Sequence, residues 1–298
     1  MKESEIKIES TYFNIKDTLE CGQIFRFEEF SEGYRIFSLD KCAYVYQKGD
    51  KTYIHTLEED RAYFEDFFDL KKDYSKIIQN LSSSPYEVVK ISAQLGKGIR
   101  ILKQDKVETL FSFIISQNNN IPRIKGIINK LCVSLGEKKE FLGKMYYTFP
   151  KIEKLATSTL EFYKSIGLGY RASYIKALAE QIAQGLNLEE FCHLDTPSLN
   201  KKLISLHGVG PKVADCVSLF GFNRFDAFPV DVWIEKVYKE NMQGSLSDRK
   251  KISSWLVGEF KENSGYVQQY LFYYKRSLED KKIKKYKTDK IFTFYYHL

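Results

Sequence analysis

The chain has 298 residues, 43% hydrophobic and 29% charged, and its 46 basic against 39 acidic side chains leave a net charge of +7. That length suffices for roughly two domains with a substantial core, and the basic excess is compatible with a polyanionic partner without requiring one. The five cysteines (Cys21, Cys42, Cys132, Cys192, Cys216) are odd in number, far apart and without a C-x-x-C pair, which speaks against a disulfide framework, a zinc site or an iron–sulfur cluster.

No apolar run reaches the roughly 18 residues of a membrane span, and the opening MKESEIKIES lacks a signal-peptide core, so a reducing, intracellular setting is expected. From Gly33 to Leu57 the runs YRIFSL, CAYVYQK and KTYIHTL alternate in polarity and are separated by Asp40-Lys41 and Gly49-Asp50, the pattern of an antiparallel meander. After Leu57 the period lengthens. EEDRAYFEDFF, PYEVVKISAQL, KVETLFSFIIS and IPRIKGIINKLCVSL predict helices, and the whole stretch from about Ser84 to Leu256 reads as helical. Pro85, Pro150 and Pro197 suit helix starts; Gly96, Gly136 and Gly185 suit stops. The expected fold is α+β, with a β-rich N-terminal domain over residues 1–84 and a mainly helical body over 85–298. The lysine cluster from Lys281 to Lys287 reads as a solvated helix face.

Within LISLHGVGPKVADCVSLF two short apolar helices flank Gly208-Val209-Gly210, so residues of about 199–220 predict a helix-hairpin-helix. Such a turn presents unpaired amides and a helix dipole to an anion, and grips DNA phosphate without reading sequence. Lys212 follows the turn, Cys216 shares its helix face at i+4, and Asp231 stands among apolar neighbours in PVDVW. On the residues alone Lys212 is either a phosphate contact or a nucleophile. Asp231 is likewise a helix cap, a catalytic carboxylate, or both.

LHGVGPKVADC followed by VDVW resembles the helix-hairpin-helix (HhH-GPD) DNA glycosylases, and within them the 8-oxoguanine DNA glycosylase/AP lyases. CGQIFRF is similar to that family's GQ-x-F-R strand motif, ISQNNNIPRI to its asparagine-rich loop, GLGYRA to its arginine-bearing helix start and GYVQQYLF to its closing base-pocket helix. The resemblance implies a base-excision repair enzyme removing 8-oxoguanine paired with cytosine. Lys212 would attack C1′ and hold the sugar as a Schiff base before β-elimination, after losing its proton by desolvation, and Asp231 would stabilise the cationic sugar. Cys216 would pair with Lys212 as opposed charges against the extruded base. Gly22 would accept the N7–H that guanine lacks, Gln268 would read the Watson–Crick edge, and Phe272 would stack. Asn118 would fill the gap with Tyr170 as wedge, and Arg123 and Arg171 would hold the orphan cytosine. The amides of Gly208, Gly210 and Val213 would bind phosphate, and the carbonyls of Ile204, Leu206 and Val209 a structural monovalent or calcium ion. No cofactor is required on this reading. The partner is double-stranded DNA, with a monomer expected in the cytoplasm, at the nucleoid of a prokaryote, and no membrane attachment.

The sequence also departs from the family pattern. Trp233 stands where relatives often carry histidine, Phe27 where tryptophan is frequent, Cys21 where serine is common, and Pro122 lies in the asparagine loop. Two other readings stay open at this level, a glycosylase for another oxidised or alkylated base and a non-catalytic hairpin protein that binds DNA by its backbone.

Overall fold

The structure, a computed structural model, describes residues 2–278; the lysine cluster at Lys281–Lys287 lies outside them. Five antiparallel strands form the N-terminal sheet: β1 (Glu3–Glu9), β2 (Phe27–Phe30), β3 (Gly33–Ser38), β4 (Lys41–Lys48) and β5 (Lys51–Leu57), in the order β1-β5-β4-β3-β2. The three expected meander strands are β3 to β5. The register sets Ile6 opposite Ile54, Ile54 opposite Val45, and Ile36 opposite Ala43. All five side chains turn inward onto Phe13, Phe64, Phe67, Phe68 and Leu102.

The body is helical: α1 (Ile15–Glu20), α2 (Arg61–Phe67), α3 (Tyr74–Ser82), α4 (Glu87–Leu95), α5 (Lys106–Ser116), α6 (Ile121–Leu135), α7 (Ile152–Thr157), α8 (Leu160–Ser165), α9 (Arg171–Ala183), α10 (Thr196–Ile204), α11 (Pro211–Phe220), α12 (Val232–Asn241) and α13 (Arg249–Phe260), with residues 264–278 also helical. Side-chain caps define many starts: Asp105, Asn120, Asp195, Asp231 and Asp248 each accept amide hydrogen bonds from the following turn. Helix α5 is buried along nearly its whole length and forms the centre of the larger core. Among the described residues no helix is long and apolar enough to cross a membrane.

Two expectations need correction. The helical stretch is interrupted by a β-hairpin, β6 (Lys138–Phe141) and β7 (Lys144–Tyr147). Its two-residue loop places Leu142 and Gly143 at φ 51° and 71°, the mirror-image turn that matches strand twist. Phe141 and Tyr146 of this hairpin cover Phe37 and Cys42 on the outer face of the large sheet. Arg35, only 1% exposed, anchors it by donating to the carbonyls of Phe141, Lys144 and Met145.

The second correction concerns CGQIFRF. Gly22 to Arg26 form no strand; Gly22 turns the chain at φ +85° and β2 begins only at Phe27. Gln23 is fully buried and acts as an internal splint. Its amide donates to the carbonyls of Thr18 and Arg100, and its oxygen accepts from the amide of Leu102. Arg26 is buried against Glu108 of α5 at 3.1 Å and donates to the Tyr147 carbonyl. These bonds fix the Gly22 turn between sheet and body.

Candidate active site

The two glycines of the hairpin do different jobs. Gly208 has φ +83°, and a Cβ there would fall 2.3 Å from Cγ of Tyr174, so only glycine fits. Gly210 caps α11 without a side chain, and Pro211 occupies its first turn. Val209 donates to the Leu206 carbonyl and Ala214 to the Gly210 carbonyl. Among the described residues the amides of Gly208, Gly210 and Val213 donate to no acceptor in the protein. The carbonyls of Ile204 and Val209 accept no hydrogen bond there either, so with Leu206 they are the available main-chain ligands for a cation. No cluster of three His, Cys, Asp or Glu suited to a metal occurs among the described residues.

Lys212 lies in the first turn of α11 and is exposed, with no acidic side chain paired to it. It lines a cavity of about 300 Å³ with Phe113, Gln117, Asn118, Tyr170, Gly210 and Cys216, among others. Cys216 is buried at the edge of this cavity. Burial pushes its thiol up to about 12 against the opposing pull of Lys212, so the sulfur stays protonated and neutral. The Lys212 ammonium and the Asp215 and Asp231 carboxylates all lie within electrostatic range of that thiol.

Asp231 is half-buried rather than enclosed. Its Oδ1 accepts from the amides of Trp233 at 2.9 Å and Ile234 at 3.0 Å, capping α12, while Oδ2 makes no hydrogen bond among the described residues. The cap therefore leaves Oδ2 unengaged among the described residues. Because Trp233 contributes its backbone amide, tryptophan in place of histidine leaves this contact intact.

The asparagine loop closes the cavity. Asn118 is exposed at φ +50°, and the loop is pinned to the hairpin by Gln117, whose amide donates to the Gly208 carbonyl at 2.8 Å. Tyr170 is 53% exposed, at the head of α9, in edge contact with Tyr174. The two arginines differ. Arg123 is exposed, with one contact to the Gly167 carbonyl. Arg171 is buried beneath the loop, donating to the carbonyls of Gln117, Asn118 and Leu168, so four of its five N–H groups are engaged. Its expected freedom to read a base is reduced to a single N–H.

Gly22 and Phe272 form a separate wall, with Gln268 one helical turn before Phe272, and none of the three lines the Lys212 cavity. A Cβ on Gly22 would stand 3.1 Å from the Phe272 ring and 4.0 Å from Ile121, the first residue of α6. The neighbouring carbonyls of Cys21 and Gln23 accept from Gln269 and Gln104, but that of Gly22 accepts nothing among the described residues. Gln268 is 6% exposed and its Oε1 is buried without a partner among the described residues. Buried polar atoms of this kind are uncommon and mark places where another group completes the bond.

Sequence reasoning did not single out Gln117, Tyr174 or Gln269. Gln117 stood inside ISQNNN but signals only a polar turn, and contacts across 91 residues leave no local pattern.

Residues 5–110 match the family described as 8-oxoguanine DNA glycosylase, N-terminal domain, and residues 111–254 the HhH-GPD superfamily of base excision DNA repair proteins. A probable N-glycosylase/DNA lyase of Methanothermobacter thermautotrophicus is 30% identical over 236 residues, covering 72% of this chain and 75% of its own. The fold is similar to the Clostridium acetobutylicum 8-oxoguanine glycosylase/lyase solved with DNA containing cytosine opposite 8-oxoguanine. There the TM-score is 0.87 at 37% identity, covering 93% of this chain and 98% of that one. A 3-methyladenine DNA glycosylase of Archaeoglobus fulgidus shares the fold at TM-score 0.74 and 18% identity, covering 91% of this chain and 98% of that one.

Proposed function

The chain belongs to the 8-oxoguanine-type N-glycosylase/DNA lyases of the HhH-GPD superfamily, and from that premise we propose that it excises 8-oxoguanine paired with cytosine and cuts the strand at the resulting abasic site. The observation that carries this reading is the arrangement around the Lys212 cavity. The amine of Lys212 and the unpaired amides of Gly210 and Val213 line one cavity, and the Cys216 thiol at its edge lies within electrostatic range of both that amine and the Asp231 carboxylate.

In this reading the amides of Gly208, Gly210 and Val213 take a backbone phosphate, assisted by the positive end of α11. The duplex closes over the exposed Lys212 and supplies the desolvation that favours its neutral form. Nζ then bonds to C1′ as the bond from C1′ to the base breaks. The electron pair leaves with the base, which takes up a proton. Oδ2 of Asp231 stabilises the cationic sugar, and its aim is fixed because Oδ1 is held by α12. Ring opening gives a Schiff base to Lys212. Loss of a 2′ proton and departure of the 3′ phosphate complete the β-elimination.

Lesion choice rests with Gly22, Gln268 and Phe272. The unengaged Gly22 carbonyl accepts the N7–H of 8-oxoguanine, while guanine would set acceptor against acceptor at a cost of a few kcal/mol. Asn118 and Tyr170 occupy the gap, Arg123 reads the orphan cytosine with the one free N–H of Arg171, and Cys216 packs on the base as a neutral thiol. A cation on the carbonyls of Ile204, Leu206 and Val209 would brace the hairpin. No cofactor enters the chemistry, and one copy of the chain on duplex DNA, in the cytoplasm of a prokaryote, suffices.

Borohydride trapping on a duplex carrying 8-oxoguanine tests the reading. The wild type is expected to give a covalent adduct, and Lys212→Gln to bind the duplex without trapping. Undiminished trapping by Lys212→Gln would place the nucleophile elsewhere.

A further inference from the structure

Three residues after Lys212, on the same helix, Asp215 carries a carboxyl group that the chemistry above does not use. Among the described residues its only hydrogen bond comes from Nδ2 of Asn200 on α10, at 2.7 Å. The other end of the same amide, Oδ1, accepts from the hydroxyl of Ser218 at 2.6 Å, and Ser218 is fully buried on α11. Burial and this one contact are all that act on the carboxyl; no cation reaches it. An acid partly withdrawn from water without a cationic partner is costly, and an apolar residue would pack there at less expense. What the acid provides is direction. Asn200 spends both ends of its amide on two residues almost one helical turn apart on α11, which fixes the rotation and the register of that helix on α10.

We propose that Asp215, through Asn200, is a positioning residue that aims Lys212. Lys212 stands in the first turn of α11, whose N-terminus is made by the glycine turn and carries no side-chain cap. Gln117 holds the turn at the Gly208 carbonyl, on the loop side. The Asn200 contacts hold α11 one turn further along, on the α10 side. With these contacts gone, α11 is free to rotate on α10, and a rotation of a few degrees swings the end of a long lysine side chain by an ångström or more. Misplacement of that size at a reacting atom costs about 10- to 100-fold in rate.

This inference rests on Lys212 as the nucleophile, and the experiment separates the two. Single-turnover borohydride trapping is measured with enzyme saturating over an 8-oxoguanine duplex, for the wild type, for Asp215→Leu, and for the exchanged pair Asn200→Asp with Asp215→Asn. Affinity for a duplex with a stable abasic-site analogue and the melting temperature are recorded beside it. Leucine fills the space of the acid and removes its hydrogen bond. In the exchanged pair the amide now on α11 donates to one oxygen of the carboxylate now on α10, and Ser218 donates to the other as before, so both contacts are kept and only the bond between residues 200 and 215 exchanges its donor and acceptor. The expected result is a saturated trapping rate about 10- to 100-fold lower for Asp215→Leu, an analogue affinity within about threefold of wild type, and a rate restored to within about threefold in the exchanged pair. A folded Asp215→Leu that traps at the wild-type rate overturns the proposal. So does a folded exchanged pair that traps no better than the leucine variant, and that arm decides alone should Asp215→Leu fail to fold. A wild type that never traps sinks the Lys212 reading instead.

Discussion

The Cα of Gly208 lies against the ring of Tyr174, at a distance where an added methyl would stand 2.3 Å from Cγ and 2.6 Å from Cβ and Cδ2. The residue also sits at φ +83°, where an L side chain is strained. Tyr174 cannot move aside freely, because its ring packs edge-on against Tyr170 and, at 4.9 Å, against His207. Gly208→Ala should therefore cost roughly 2–4 kcal/mol, the sum of backbone strain and overpacking. It should also weaken duplex binding, since the amide of Gly208 is one of the proposed phosphate donors. Urea unfolding and a binding isotherm check both. Gly210→Ala is the control: nothing lies within 4 Å of its would-be Cβ and its φ is ordinary, so it should change stability little.

Asp231 offers a separation of structure from chemistry. Asp231→Asn keeps an oxygen for the amides of Trp233 and Ile234 but removes the charge, whereas Asp231→Ala removes both. The alanine variant should lose about 1 kcal/mol of stability for the missing cap. The asparagine variant should melt near the wild type. Both should lose about 100- to 1000-fold in the rate of base excision, the scale on which a preorganised group facing developing charge acts. Single-turnover excision alongside thermal melts decides the matter, and an asparagine variant with full activity would remove Asp231 from the chemistry.

Much of this arrangement was legible because its signals are local. Alternating strands broken by turn dipeptides, the glycine turn between two apolar helices, and Lys212 with Cys216 at i+4 can each be read within twenty residues. The hairpin β6–β7 was not legible, because four-residue strands of KKEF and KMYY offer too little alternation to interrupt a helical reading. Its stability comes from Arg35, more than a hundred residues earlier in the chain. The ionisation of Cys216 was equally hidden, since burial is a property of the packed core and not of the spacing. The loop contacts of Arg171 were hidden for the same reason, as GLGYRA marks a helix start and says nothing of the loop that lies across it.

That difference between the arginines is measurable. Arg171→Ala strips hydrogen bonds from the carbonyls of Gln117, Asn118 and Leu168 inside the protein, so it should cost roughly 2–4 kcal/mol and loosen the asparagine loop. Arg123→Ala, at an exposed position, should stay within about 0.5 kcal/mol of the wild type. Its effect should fall on the opposite base, with the preference for cytosine over adenine, guanine and thymine narrowing in a four-partner excision panel. An unchanged preference in Arg123→Ala would leave the reading of the orphan base to other groups.

Asp215 makes stability depend on pH. Burial raises its carboxyl from the ordinary carboxylate range to about 7. The folded protein thus holds a proton that the unfolded chain releases near pH 4. Stability contributed by that proton is fully present below about pH 4, declines as pH rises, and is lost once pH passes 7. Asp215→Asn carries no such proton. Relative to the wild type it should gain roughly 1–3 kcal/mol between pH 4.5 and 7.5 and then level off, as followed by urea unfolding across that range. A constant difference at every pH would show that the acid ionises normally in the folded state.

Gln268 places stability and function in opposition. Its Oε1 is buried with no hydrogen-bond partner among the described residues, a loss of about 1–3 kcal/mol relative to an oxygen bonded to water or protein. Methionine has nearly the same length and carries no such oxygen, so Gln268→Met should raise stability by up to that amount. The same oxygen belongs to an amide one helical turn before Phe272 that is proposed to complete its bonds on the edge of the extruded base. Removing it should lower excision of 8-oxoguanine by about 10- to 100-fold, the cost of leaving the polar edge of a buried base unpaired. The Gly22 carbonyl would remain to distinguish N7–H, so discrimination against guanine should fall less than the rate itself. Unfolding curves and excision of 8-oxoguanine and guanine from matched duplexes give both numbers. A methionine variant that is less stable than the wild type would mean that Oε1 is already bonded inside the protein and is not held ready for a base.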